Sequence, residues 1–163
     1  MILIKNARVM DPESGFDQVT DILLDGKRIR QIGKVDDVSG IEQVIDASGM
    51  IAAPGLIDVH VHFRDPGFTY KEDLHTGALA AAKGGFTTVC CMPNTKPVVD
   101  NVETVKYIIE KGEKTGLTNV LPVGAVTKNM AGVEITDVEE LKKAGICAIS
   151  ADGKSCLLYT SPS

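Results

Sequence analysis

The residues best suited to chemistry lie in one short segment, residues 58–68, which reads DVHVHFRDPGF. It follows an apolar run at residues 50–57 whose composition predicts a buried strand. Because side chains alternate between the two faces of a strand, His60 and His62 are predicted to project from one face, with Asp58 beneath them. Two imidazoles placed in this way can bind one metal ion, and a nearby carboxylate can orient them.

Chance explains such a pair poorly. The chain has only three histidines, and shuffling would place some pair two residues apart in roughly 4% of sequences. An isolated histidine is more often a core or surface residue than a ligand, but the flanking Asp58 and Arg64 favour a metal site here. The third histidine, His75, lies within a predicted helix and is interpreted as structural or solvated.

The composition is that of a globular protein with a substantial core. The chain has 163 residues, of which 44% are apolar and 24% are charged. Its net charge of −5 argues against nucleic acid or an anionic membrane as the main partner, and no apolar run reaches transmembrane length. The four cysteines have no C-x-x-C spacing, which favours a cytoplasmic location with reduced thiols.

Residues 1–52 are predicted to form a small β subdomain. Short apolar strands alternate there with turn residues, and Asp25-Gly26 between two strand-like runs is a strong hairpin signal. This part contains no cluster of residue types suited to catalysis. From residue 53 to about residue 155 the pattern changes to alternating strands and helices, which predicts a parallel sheet in either a barrel or a doubly wound fold.

Helix-capping residues and apolar runs define the elements of this second part. The predicted strands after the first are residues 86–91, 120–126 and 146–150. The predicted helices are residues 69–83, opened by a capping box from Thr69 to Glu72, residues 101–115, capped by Asp100, and residues 136–145, opened by a capping box from Thr136 to Glu139.

Polar side chains follow the predicted strand ends: His60, His62 and Arg64 after the first, Asn94 after the second, and Asp152 after the fourth. Active sites of eight-stranded α/β barrels lie at this edge. No G-x-G-x-x-G motif follows the first strand, so dinucleotide binding has no support. Since a barrel takes about 250 residues, the chain is predicted to be the N-terminal half of a TIM-type (β/α)8 barrel preceded by the β subdomain.

The end of the chain continues none of these patterns. Residues 156–163 contain no helix start and are interpreted as a non-native tail, of the kind that is translated from a sequencing adapter. Half a barrel would leave the edge of the fourth strand unpaired and an apolar face uncovered, which promotes aggregation. The isolated chain is therefore predicted to be poorly folded and inactive.

Four sequence blocks, in this order, make the chain similar to the dihydroorotases of the amidohydrolase superfamily, specifically the longer, bacterial-type class. The blocks are HVHFRDPG at 60–67, GGFTTV at 84–89, MPNT at 92–95 and SADG at 150–153. The resemblance covers residues 1 to about 155. It implies a zinc enzyme that interconverts N-carbamoyl-L-aspartate and L-dihydroorotate in de novo pyrimidine (UMP) biosynthesis.

The resemblance also implies roles for single residues. His60 and His62 would bind one zinc ion, Asp152 would bridge two, and His62, Arg64 and Asn94 would bind the substrate. Two such ions lower the pKa of a bridging water and polarise the amide carbonyl, and the planar guanidinium suits a carboxylate. In the family the other two histidine ligands and the catalytic aspartate come from later strands, so this chain is predicted to hold no catalytic residue.

Two alternatives stay open beside this reading. A related cyclic amidohydrolase, a hydantoinase or an allantoinase, would usually carry a lysine for carboxylation in the fourth strand, but residues 146–150 contain none. A non-catalytic dihydroorotase-like partner of aspartate transcarbamoylase would typically lose the metal ligands, which are retained here. Ala151 departs from the family, which usually has an acid at that position. The resemblance is compatible with a homodimer or with association with aspartate transcarbamoylase.

Overall fold

The computed structural model describes residues 1–154, and the chain divides into two compact units, Met1–Pro54 and a second unit that begins at Gly55. Each unit has its own cluster of buried apolar side chains. No helix within residues 1–154 is long and apolar enough to cross a bilayer. The division into domains at residues 52 and 155 stays a prediction, and the predicted tail lies outside the described residues.

The first unit is a mixed β-sheet. Its strands are β1 (Ile2–Asp11), β2 (Phe16–Asp25), β3 (Arg28–Ile32), β4 (Gln43–Asp46) and β5 (Ile51–Ala52). Strand β1 is central: it pairs antiparallel with β2 on one side and parallel with β4 and β5 on the other. Strands β2 and β3 form the predicted hairpin, which is confirmed, and Gly26 adopts the φ of +56° that its turn requires.

The second unit alternates strands and helices. Its elements are β6 (Leu56–Val61), α1 (Leu74–Lys83), β7 (Phe86–Cys91), α2 (Val102–Thr115), β8 (Asn119–Ala125), a 3₁₀ turn (Lys128–Met130), α3 (Val138–Ala144) and β9 (Ala148–Ser150). All neighbouring strands are parallel, in the order β6-β7-β8-β9. A doubly wound sheet reverses its strand order at a switch point, whereas a barrel does not. The described strands therefore have the order of a barrel.

The core of the second unit lies between the helices and the central strands. Val105 and Ile108 of α2 belong to this buried cluster and are fully buried, and burial of each stabilises the fold by about 2 kcal/mol. Gly112 of α2 lets the helix approach β8 closely, since a Cβ there would lie 2.8 Å from the Cβ of Val120. Helix α2 ends at Gly116, which adopts the left-handed conformation.

The predicted start of the first helix at Thr69 is wrong. Helix α1 begins at Leu74, and Asp73 is its N-cap: the carboxylate accepts hydrogen bonds from the backbone N–H groups of His75 and Thr76, at 2.8 Å each. The motif that the sequence offered from Thr69 to Glu72 has the same pattern of hydroxyl and carboxylate residues. The chain instead uses an aspartate nearer to the apolar residues that α1 buries.

The predicted caps of the other two helices are each displaced by one residue. Asn101 caps α2 and Asp137 caps α3. The residues predicted for these positions have other partners: Asp100 accepts from a backbone N–H of the loop after β8, and the hydroxyl of Thr136 donates to the carbonyl of Ala125 at 2.7 Å. Both side chains thus fasten the loop between β8 and α3.

The prediction of one buried strand at residues 50–57 is wrong. The run divides into β5 of the first unit and the start of β6, with Pro54 and Gly55 between them, because proline cannot continue a ladder of hydrogen bonds. Strand β6 pairs only with β7 among the described residues. As an edge strand it leaves Ile57 63% and Val59 70% exposed.

Candidate metal centre

Three of the predicted site residues meet at the carboxyl edge of the parallel sheet. His60 lies in β6 and His62 follows its last residue, and their ring centroids are 5.1 Å apart. Asp152 follows β9, the strand furthest from β6 in the described sheet. Its Oδ1 atom lies 3.3 Å from Nε2 of His60 and 3.6 Å from Nε2 of His62.

The geometry and the donor types of this group fit a divalent metal ion. The three ligand atoms lie within 4.8 Å of one another, so small side-chain rotations would bring all of them to the bond length of about 2.0–2.2 Å from a shared ion. Two imidazole nitrogens and one carboxylate oxygen are donors that zinc takes. The Asp152 side chain is only 10% exposed, so a cation would compensate a charge that is largely removed from water. This is the one group of its kind found in residues 1–154.

His62 has a partner on its second ring nitrogen. Nδ1 of His62 lies 2.9 Å from Oδ1 of Asn94, in the turn after β7. An amide oxygen can only accept, so Nδ1 donates, and Nε2 of the neutral ring then carries the lone pair on the side of Asp152. The structure therefore brings Asn94 to the same site, but its side-chain oxygen faces a histidine.

The orienting role predicted for Asp58 is wrong. Its Oδ1 accepts a hydrogen bond from the backbone N–H of His60 at 3.0 Å, and no hydrogen bond joins it to an imidazole among the described residues. The pairing of β6 with β7 is irregular between Asp58 and Val61. The Asp58 carboxylate is therefore engaged by the backbone of the strand and not by a histidine ring.

Backbone hydrogen bonds hold the loops that carry the site residues. The N–H of Met92 donates to the carbonyl of Val61 at 2.9 Å, which joins the ends of β6 and β7. The N–H of Lys96 donates to the carbonyl of Pro66 at 3.0 Å, which joins the two following loops. Asn94 lies between these two contacts along the chain, so its side chain is presented from a fixed backbone.

Arg64 lies in the first of these loops, partly buried, with a φ of +57°. The adjacent acid does not neutralise it. Asp65 points inward, is 2% exposed, and contacts Nζ of Lys111 at 2.6 Å and the hydroxyl of Tyr107 at 2.9 Å. The hydrogen bonds that Lys111 donates to Asp65 and, at 3.0 Å, to the hydroxyl of Tyr107 raise the pKa of Lys111. This role of Asp65 was not predicted from the sequence. The signal that could have revealed it is an acid in the segment that carries the site residues, with a tyrosine and a lysine one turn apart on α2.

Solved structures give the class of fold. The L-hydantoinase (dihydropyrimidinase) from Arthrobacter aurescens matches 91% of this chain and 32% of its own, with a TM-score of 0.73 and 24% identity. The D-hydantoinase (dihydropyrimidinase) from Thermus sp. matches 88% of this chain and 30% of its own, with a TM-score of 0.66 and 29% identity. The predicted fold, half of an α/β barrel preceded by a β subdomain, is confirmed.

Sequence comparison gives the family. Residues 49–158 match the family described as Dihydro-orotase-like, and the chain belongs to this family. The dihydroorotase of Clostridioides difficile (strain 630) is 55% identical over 153 residues, which are 94% of this chain and 36% of that protein. The dihydroorotase of Clostridium acetobutylicum is 54% identical over 154 residues, which again are 94% of this chain and 36% of that protein. The chain thus spans about a third of the curated relatives it matches.

Proposed function

We propose that the complete protein containing this chain is a zinc-dependent dihydroorotase, which interconverts N-carbamoyl-L-aspartate and L-dihydroorotate in de novo pyrimidine biosynthesis. The observation that carries the proposal is the group of His60, His62 and Asp152 in a chain 55% identical to a dihydroorotase. The reaction closes or opens a cyclic amide. Its barrier is lowered by any site that stabilises negative charge on the amide oxygen.

The three clustered residues are the ones that would hold zinc, and the family resemblance implies two ions in the complete site. Bound zinc would supply Lewis acidity, which polarises an amide carbonyl and lowers the pKa of water in the site. The protein's own contribution is orientation. Asp152 faces both imidazoles from a position that is largely shielded from solvent, and the Nδ1–H of His62 is fixed by Asn94.

The substrate-binding candidates are His62, Arg64 and Asn94. The proposed substrates carry a free carboxylate, and a guanidinium binds such a group through two parallel hydrogen bonds. The loops of Arg64 and Asn94 are joined by the hydrogen bond from Lys96 to Pro66, which supports a common subsite. With Oδ1 of Asn94 engaged by His62, its Nδ2 group is the end that can donate to an anion.

A hydantoinase is the second candidate, because the matching solved structures carry that name. Two observations favour dihydroorotase. The identity to dihydroorotases is 54–55%, against 24–29% to these hydantoinases. Residues 146–150 also lack the lysine that the hydantoinase class would use, and Asp152 lies in the site instead.

Substrate specificity of the purified, zinc-loaded complete protein tests the proposal. We expect kcat/KM for L-dihydroorotate to exceed that for unsubstituted hydantoin by at least about 10²-fold, because a substrate without the carboxylate leaves Arg64 unpaired. Equal or higher kcat/KM for hydantoin would contradict the proposal. A protein with neither zinc nor turnover would favour the non-catalytic partner of aspartate transcarbamoylase.

We also propose that the 163-residue chain alone has no turnover, because in the family the remaining ligands and the catalytic aspartate come from later strands. Measurable activity of the purified chain would refute this. A small-molecule substrate is what its enzyme relatives imply. The homodimer, the association with aspartate transcarbamoylase and the cytoplasmic location stay predictions.

A further inference from the structure

We propose that Asn94 is a positioning residue for His62, and that its contact with the imidazole increases metal affinity independently of any contact with substrate. This inference rests on the proposed metal-dependent function. It goes beyond the role in substrate binding that the family resemblance implies for Asn94.

The hydrogen bond between His62 and Asn94 can have only one direction. Oδ1 of Asn94 lies 2.9 Å from Nδ1 of His62. The oxygen can only accept, so the ring hydrogen is on Nδ1 and the lone pair is on Nε2. That atom lies 3.6 Å from Oδ1 of Asp152. The hydrogen bond therefore selects the one neutral tautomer of His62 that can bind a metal at the shared position.

The side chain of Asn94, which accepts this hydrogen bond, is held by a rigid turn. The neighbours of Asn94 in sequence, Pro93 and Thr95, are both buried. The N–H of Thr95 donates to the carbonyl of Pro93 at 2.9 Å, and its hydroxyl donates to the carbonyl of Pro97 at 2.7 Å. A side chain that leaves such a turn has few alternative positions. Asn94 can thus hold the imidazole ring as well as select its tautomer.

His60 and His62 differ in exposure and in hydrogen-bond partners. The His62 side chain is 29% exposed, whereas that of His60 is 55% exposed. Within the described residues, His62 is the one of these two whose Nδ1 has a side-chain partner. Removal of the partner would therefore allow the His62 ring to exchange tautomers and to rotate, and either change lowers its availability as a ligand.

Substitutions at Asn94 can separate the role of the side-chain oxygen, which contacts His62, from the role of the NH₂ group, which can donate to the substrate. Asn94→Asp keeps an oxygen for the Nδ1–H of His62 but replaces the NH₂ group by negative charge, which repels a carboxylate substrate. Asn94→Ala removes both ends. As a matched control, Asn119→Ala removes another amide that bonds to a neighbouring strand, through Thr88 at 3.3 Å, near the start of β8.

The experiment measures zinc affinity of the complete protein by competition with a chromophoric chelator, together with KM for L-dihydroorotate. We expect Asn94→Ala to lose about 10- to 100-fold in zinc affinity. Asn94→Asp should keep zinc affinity within about 3-fold while KM rises by at least about 10-fold. Asn119→Ala should change neither quantity.

Two outcomes would overturn the inference: Asn94→Ala binding zinc as tightly as the wild type, or Asn94→Asp losing as much affinity as Asn94→Ala. If the wild type turns over L-dihydroorotate and the variants show either outcome, the proposed function stands and only the inference about Asn94 fails. A wild type that binds no zinc refutes both the proposed function and the inference. If Asn94→Ala does not fold, ¹⁵N NMR of the metal-free wild type decides. A hydrogen on Nδ1 of His62 supports the inference, and a hydrogen on Nε2 contradicts it.

Discussion

The carboxylate of Asp65 and the ammonium group of Lys111 form an ion pair of 2.6 Å between the loop after β6 and helix α2. Asp65 is almost fully buried, and it also accepts hydrogen bonds from the Tyr107 hydroxyl at 2.9 Å and from the N–H of Leu74 at 3.4 Å. These contacts compensate a charge that is costly to remove from water. They also fasten the loop that carries Arg64, one of the candidate substrate ligands.

The first prediction concerns this ion pair. Lys111→Met leaves the Asp65 carboxylate buried without a counter-charge, and we expect it to destabilise the complete protein by about 2–4 kcal/mol. Asp65→Asn should destabilise the protein less, because the Lys111 side chain is 42% exposed and can turn to water. The double variant should destabilise it by less than the sum of the two single variants. Denaturant unfolding measures all three. Lys106→Met, at an exposed position of α2, is the control. If Lys111→Met destabilises the protein no more than Lys106→Met does, the prediction is contradicted.

The second prediction concerns zinc retention. His62→Ala and Asp152→Asn each remove one candidate ligand, and we expect either change to lower zinc affinity by at least about 10²-fold. Asparagine tolerates the left-handed conformation that Asp152 adopts, with φ +45°, so the backbone should be undisturbed. Zinc content after dialysis is measured by elemental analysis. His75→Ala, exposed on α1, should keep its zinc; retention by Asp152→Asn as well would argue against the ligand assignment.

The third prediction concerns Arg64. Lysine keeps the positive charge but lacks the planar fork, so Arg64→Lys should raise KM for L-dihydroorotate by about 10-fold with a smaller change in kcat. Zinc content should not change. Arg30→Lys, exposed in the first unit, is the control and should have wild-type kinetics. An unchanged KM for Arg64→Lys would exclude contact between Arg64 and the substrate carboxylate.

The fourth prediction concerns the pH dependence of stability at the start of α1. The backbone N–H groups of Thr76 and His75 hold the pKa of Asp73 below its usual value. A carboxyl group whose pKa is lower in the folded state than in the unfolded state stabilises the folded protein. This contribution to the free energy of unfolding is complete above the pKa of the unfolded state, near pH 4, and is lost as the pH falls through the pKa of the folded state. Asp73→Ala should cost about 1 kcal/mol at neutral pH.

The gap in thermal midpoint between wild type and Asp73→Ala should therefore narrow as the pH falls below about 4. Measurement on the metal-free complete protein avoids the separate effect of zinc release at acid pH. Asp73→Asn, which can still cap through its side-chain oxygen, should show a smaller loss at neutral pH. A gap that is constant from neutral to acid pH would contradict the assignment of Asp73 as a charged cap.

Part of the site follows from the sequence because it depends only on periodicity and strand order. The alternation of a strand brings His60 and His62 together, and the parallel arrangement of successive strands brings Asp152 to the same edge. Neither step needs knowledge of loop geometry. The meeting of these three side chains was therefore predictable, whereas the hydrogen bond that engages the Asp58 carboxylate with the backbone of His60 was not.

The rest depends on tertiary contacts that no local pattern encodes. Asp100 and Thr136 were each plausible as helix caps, and the choice of the following residue depended on which side chains the adjacent loops engaged. The contact of Asn94 with His62 requires the exact course of the turn after β7. The ion pair of Asp65 requires α2 to pack beside the loop after β6.

Anomalous X-ray diffraction at the zinc absorption edge, from crystals of the zinc-loaded complete protein, is the most direct test of the proposed metal centre. We expect one anomalous peak within about 2.0–2.2 Å of Nε2 of both His60 and His62, and a second peak that shares the carboxylate of Asp152. Zinc peaks only at other positions, in protein that turns over L-dihydroorotate, would contradict the assignment of these residues as the metal ligands.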